Sequence, residues 1–137
     1  MRATKSRAYK LQLSEEGIQL FLRCHCRLCR LAGDLLPYGM TLLVAVALLH
    51  ECDAEVQADE VLDPELERYG GRIIRYVGTT SALSGLVGAI GGNIEQTGRI
   101  YPIPPVWKLF LAALVHMESA RPERLAGCWR ERLDLTV

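Results

Sequence analysis

At 137 residues the chain fits one domain that can bury a core without disulfide or metal staples. Half of the residues are hydrophobic and 23% are charged, which excludes a disordered protein, and 16 Lys and Arg balance 16 Asp and Glu. Zero net charge excludes a uniformly basic or acidic protein, yet it hides a segregation. Residues 1–30 carry Arg2, Lys5, Arg7, Lys10, Arg23, Arg27 and Arg30 against Glu15 and Glu16, whereas residues 51–67 carry eight acids and no base.

Residues 1–12 read as a basic N-terminal arm or short extended lead. A helix over about 15–32 follows, with Ser14 as N-cap, Glu15 and Glu16 in the first turn and a Leu13 to Ile18 hydrophobic staple. Ile18, Phe21, Leu22, Leu28, Leu31 and Ala32 form its apolar side, and Gly33 is placed to close it in a left-handed cap. The second helix follows Asp34 and Pro37 and runs to about Glu51; it is apolar nearly all round, as a helix in the middle of a bundle is. The acidic stretch 52–62 is expected as a loop or a frayed, solvent-facing turn.

Asp63-Pro64-Glu65 has the order N-cap, N1 proline, acid, so a third helix is expected with Leu66, Tyr69, Ile73, Ile74 and Val77 inward. Gly70-Gly71 inside it costs about 2 kcal/mol relative to alanine. Thr79-Thr80-Ser81 offers caps for a fourth helix with Leu83, Leu86, Val87, Ile90 and Ile94 inward, and its Ser84/Gly88/Gly92 column would admit another helix closely. Tyr101-Pro102-Ile103-Pro104-Pro105 is a stiff connector from which Pro105 opens a fifth helix. A last short helix begins near Pro122 and carries Leu125, Cys128 and Trp129. With no alternating β pattern and no repeat of about 20 to 50 residues in view, the expected fold is all-α, a compact bundle of five or six helices in a single domain over 1–137. The uncharged stretches 35–50 and 76–94 are too short or too rich in Gly, Ser and Thr for a spanning helix, and no membrane is expected.

Two arginine triplets, Arg23/Arg27/Arg30 and Arg68/Arg72/Arg75, share a spacing that stacks three guanidinium groups on one helical face. Such rows need anions between them, either carboxylates of the same chain or phosphates of a nucleic acid. Arg68 and Arg72 follow Glu65 and Glu67 and can pair locally; the first triplet has few acids nearby. With Lys10 and Arg7 of the arm, the two triplets are the candidate nucleic-acid-binding residues, contacting backbone and not base edges. Tyr76 and Tyr101 are candidates for stacking on unpaired bases. One competing assignment pairs the arginines internally, and the acidic 51–67 segment then serves as the interface of a protein-interaction module or inhibitor, as a nucleic-acid mimic; another is a membrane-associated helical protein with 35–50 and 76–94 as lipid contacts.

Cys24-His25-Cys26-Arg27-Leu28-Cys29 invites a zinc reading with His50 and Cys52, but the second ligand pair lacks a zinc-site interval, so buried thiols are expected and no metal or cofactor. His50, Glu51 and Cys52, as helix neighbours one and two apart, do not face one another as a nucleophile and base would. His116 reads as a helix-end cap. No enzyme is expected. The odd cysteine count and a Met-Arg-Ala-Thr-Lys start without an apolar signal core point to a reducing, cytoplasmic setting.

In size, helix content and the placement of Arg23/Arg27/Arg30 and Arg68/Arg72/Arg75, the chain resembles the small helical subunits of CRISPR effector complexes. The resemblance implies a non-catalytic subunit of a nucleoprotein assembly. It would touch RNA or single-stranded DNA backbone without sequence specificity and lie beside other subunits and copies of itself.

Overall fold

A computed structural model describes residues 6–136, with side chains through Arg132. Among these residues are six α-helices and a two-stranded sheet, in the order β1 (Ser6–Leu13), α1 (Glu15–Ala32), α2 (Tyr38–His50), α3 (Ala54–Leu62), β2 (Ile73–Thr80), α4 (Ala82–Thr97), α5 (Val106–Ser119) and α6 (Pro122–Thr136). A 3-10 helix, Pro64–Arg68, precedes β2. The helical bundle expected from the sequence is present; the sheet is an addition to it.

The start and end of α1 follow from local chemistry. The Ser14 hydroxyl accepts from the amide of Gly17 at 3.0 Å, and Gly33 closes the helix at φ 71° with its own amide on the carbonyl of Cys29. Helix α2 is buried from Thr41 to Leu49 and packs along α5, buried from Leu109 to Leu114 and at Met117.

Of the two forms expected for residues 1–12, the extended one is present from Ser6 onward as a paired strand, in which Tyr9, Leu11 and Leu13 turn inward and their neighbours outward; Arg2 and Lys5 lie outside the described residues. Three expectations are corrected. The acidic stretch 52–62 holds a true helix, α3, because Asp53 caps it through the amide of Val56 and Gln57, Ala58 and Val61 supply a buried face. The helix expected from Asp63 onward lasts only from Pro64 to Arg68. Gly70-Gly71 ends it, and the β-branched run Ile73, Ile74, Val77, Thr79, Thr80 pairs instead with β1. A Cβ on Gly71 would stand 2.7 Å from the carbonyl oxygen of Leu13, so only glycine lets this turn lie against the end of β1. In α4, added Cβ atoms at Gly88 and Gly92 meet nothing within 4 Å, so no helix lies against that column among the described residues.

The two halves repeat one plan: a strand, a long helix, a central helix entered through proline, and a further helix. Pro37 and Pro105 precede α2 and α5 with nearly the same backbone, φ −62°, ψ 149° and φ −64°, ψ 153°. Gly17, Leu20, Phe21, Cys24 and Leu28 of α1 recur at one constant offset as Leu83, Leu86, Val87, Ile90 and Ile94 of α4. At the same offset Lys10 corresponds to Tyr76, and these two residues face each other across the antiparallel sheet. An approximate two-fold axis therefore passes through the Lys10–Tyr76 pair. The halves are interlaced, since α1 packs on α5 and α4 packs on α2.

Candidate nucleic-acid interface

The first arginine triplet is largely engaged within the fold. Arg23 pairs with Glu118 through Nε and Nη2, and that carboxylate raises the guanidinium pKa further. Arg27 donates from Nη1 to the carbonyl oxygens of Met117 at 2.9 Å and Glu118 at 3.3 Å, and from Nη2 to that of Ala120. Arg27 is therefore a side-chain cap on the end of α5, where the Met117 carbonyl also accepts from the amide of Ala120. Arg30 is exposed and meets no carboxylate among the described residues.

The second triplet does not form a helical row. Arg68 belongs to the 3-10 helix and is held by Glu16 at 3.0 Å and Glu65 at 2.9 Å, both of which raise its pKa. Arg72 lies in the turn before β2 and Arg75 on β2, where it donates to the carbonyl oxygen of Ile74 at 2.8 Å.

Every acid of 51–67 has a partner. Glu51 meets Arg124, Glu55 and Asp59 hold Arg99, Glu60 meets His116, Glu65 meets Arg68 and Glu67 lies 4.0 Å from Lys108. Asp53 and Asp63 cap α3 and the 3-10 helix. Most of these pairs are exposed and screened by solvent, yet together they leave no free row of carboxylates in this segment.

What remains free is the sheet. Because Tyr9, Leu11, Leu13 and Val77 face the helices, the alternate residues Ala8, Lys10, Gln12, Ile74, Tyr76 and Gly78 face outward, and no element covers them among the described residues. Tyr76 is 68% exposed. Arg7 donates to the hydroxyl of Ser84 at 3.0 Å and lies 5.8 Å from the Tyr9 ring centre. Lys10 stands on this outward face; Arg7 and Arg75, paired with Thr79 and Leu11, are exposed on the side toward the helices, Arg72 lies in the turn before β2, and neither strand contains an acid. Each end of the ribbon also meets the start of a central helix. A Cβ on Gly39 in the first turn of α2 would stand 1.8 Å from the carbonyl oxygen of Gly78, and Trp107 of α5 lies against Gly70, next to the turn that abuts Ser14.

Four of the eight arginines and lysines expected at a nucleic acid belong to the ribbon or the turn before it, with only Lys10 on the outward face, and Arg23, Arg27, Arg68 and Arg30 are placed elsewhere. Ile74, expected on the inner side of a helix, faces outward on β2 beside Gln12. The signal for Gln12 is the strict alternation Tyr9-Lys10-Leu11-Gln12-Leu13, which predicts a half-buried strand with an outward polar side.

The cysteines near α1 do not converge. Cys24 is buried, donates to the carbonyl oxygen of Leu114 at 3.3 Å and has its pKa pushed up to about 12 by burial, while Cys26 is exposed and Cys29 lies 3.6 Å from Nε2 of His25. Burial likewise pushes Cys128 up to about 12. Among the described residues no three His, Cys, Asp or Glu side chains are placed to hold a metal ion, and no helix is long and apolar enough to cross a membrane. No family model matches the chain, and no curated protein or solved structure is significantly similar to it.

Proposed function

We propose that the chain binds duplex DNA by laying the outer face of the β1–β2 ribbon into the major groove. The carrying observation is an uncovered two-stranded ribbon with Lys10 on its outer face, Arg72 in the turn at its end, Arg7 and Arg75 exposed on its other side and no acid in either strand, within a chain of zero net charge. The major groove of B-DNA, about 12 Å wide, admits a two-stranded ribbon, whereas the major groove of an RNA duplex is too deep and narrow for side chains to read. Lys10, Gln12, Ile74 and Tyr76 are the residues turned toward base edges. Arg7, Arg72 and Arg75 reach from the edges and end of the ribbon to the flanking phosphates. The proposal keeps nucleic acid as the partner and moves the contact from helices to sheet. It takes nothing from the likeness to CRISPR small subunits, whose carrying triplets are mostly engaged inside the fold.

The test is fluorescence anisotropy with a labelled duplex over about 50 to 200 mM salt, a range in which several phosphate contacts make affinity fall steeply. The variant Lys10→Ala/Arg72→Ala/Arg75→Ala is expected to weaken binding and to lower the slope of log affinity against log salt by about 1 per contact removed. Arg23→Ala/Arg27→Ala is expected to lose stability and keep the slope. Absence of salt-dependent binding by the native chain, or an unchanged slope in the ribbon variant, removes this function.

A further inference from the structure

We propose that Cys52 is a peroxide-reactive thiol and the oxidative modification site of this chain. The residue stands just past the end of α2, where side chains from three other helices meet around it. Nε2 of His116 from α5 lies 3.4 Å from its Sγ, and Nη2 of Arg124 from α6 donates to the same sulfur at 3.4 Å. Nη1 of Arg124 donates to Nε2 at 2.6 Å, so Nδ1 carries the ring proton and donates to Oε1 of Glu60 from α3 at 3.1 Å. Arg124 is held in turn by Glu51 at 3.5 Å and by the carbonyl oxygen of Leu48.

This is a nucleophile, a base touching it, a carboxylate orienting that base and a cation beside both, the set that activates a thiol. It involves neither of the sequence neighbours His50 and Glu51 in the way a linear reading would pair them. His116 arrives from 64 residues away along the chain.

The chemistry balances with a hydroperoxide as the oxidant. Nε2 of His116, whose one lone pair accepts from Arg124 Nη1, takes the Sγ proton as that guanidinium turns to the incoming peroxide, and the sulfur lone pair attacks one peroxide oxygen. The S–O bond forms as the O–O bond breaks, and the departing oxygen takes the proton back from His116 to leave as water or an alcohol. Sulfur is oxidised by two electrons to a sulfenic acid and the peroxide is reduced by two. Arg124 stabilises the negative charge that builds on the departing oxygen. Cys26 supplies an internal control, because it is exposed whereas Cys52 is half-buried, so accessibility alone would make Cys26 react first.

The experiment treats the full chain with limiting hydrogen peroxide in the presence of a sulfenic-acid trap and reads each cysteine by mass spectrometry. Cys52 is expected to be trapped at least about tenfold faster than Cys26, since a positioned base contributes a hundredfold or more. His116→Gln is expected to bring Cys52 down to the rate of Cys26 while leaving Cys26 itself unchanged. If that variant unfolds, seen as alkylation of buried Cys24 and Cys128, Glu60→Gln replaces it, with several-fold slowing of Cys52 expected. Equal trapping of Cys52 and Cys26 in the native chain overturns the proposal, as does an unchanged Cys52 rate in the folded variant.

Discussion

Arg27 and Arg124 do matching work at the ends of the two central helices, the first on the last carbonyls of α5 and the second on the carbonyl of Leu48 in α2. Sequence spacing shows which residues share a face of one helix but not what another helix brings to that face, which is why Arg27 reads as a free cation until α5 is seen beside it. His25 shows the same limit. It stacks on Phe21, accepts or donates at Thr41 Oγ1 over 2.7 Å, and its pKa is lowered from 6.5 by burial. The folded chain therefore takes up this proton less readily than the unfolded one, so His25's contribution is complete above pH 6.5 and declines as pH falls below that value. Urea titrations at about pH 5 and pH 7.5 are expected to show a smaller loss of stability on acidification for His25→Gln than for the native chain; equal losses would exclude this role.

Among the elements, α1 and α2 were legible because their signals are local: Ser14, Gly33 and Pro37 mark ends, and apolar spacing marks faces. Strand β2 was not, since Ile73, Ile74 and Val77 suit the inner side of a helix as well as a strand, and the choice is made by pairing with β1 more than 60 residues away. Helix α3 was masked by its acids, whose partners Arg99 and His116 lie far along the chain. The junction of α2 with β2 depends on one glycine. Gly39→Ala would drive a methyl group into the carbonyl of Gly78, so a loss of about 1 to 3 kcal/mol or more is expected from denaturant unfolding. Gly88→Ala, with nothing near its Cβ, is expected to stabilise α4 by about 0.4 to 1 kcal/mol.

For the molecule as a whole, the repeated plan is faint in the sequence because the halves share spacing far more than residue identity: Leu20 answers to Leu86, but Gly17 to Leu83 and Cys24 to Ile90. The same divergence reaches the ribbon. Ala8, Lys10 and Gln12 on one strand correspond to Ile74, Tyr76 and Gly78 on the other. A groove read by such a face meets polar groups on one side of the axis and apolar groups on the other. Duplexes enriched from a random library are therefore expected to share a motif without inverted symmetry, and Gln12→Ala is expected to relax one side only, costing about 1 to 3 kcal/mol of discrimination there. A palindromic motif would count against a face built this way.

An assembly of two identical chains shows every substitution twice and falls apart on dilution, at a rate set by how often its halves meet. Here the strands are covalent neighbours within one polypeptide, so closing the ribbon is a first-order event that does not depend on how much protein is present. A change at Lys10 is felt once, at one position, and leaves Tyr76 as it was.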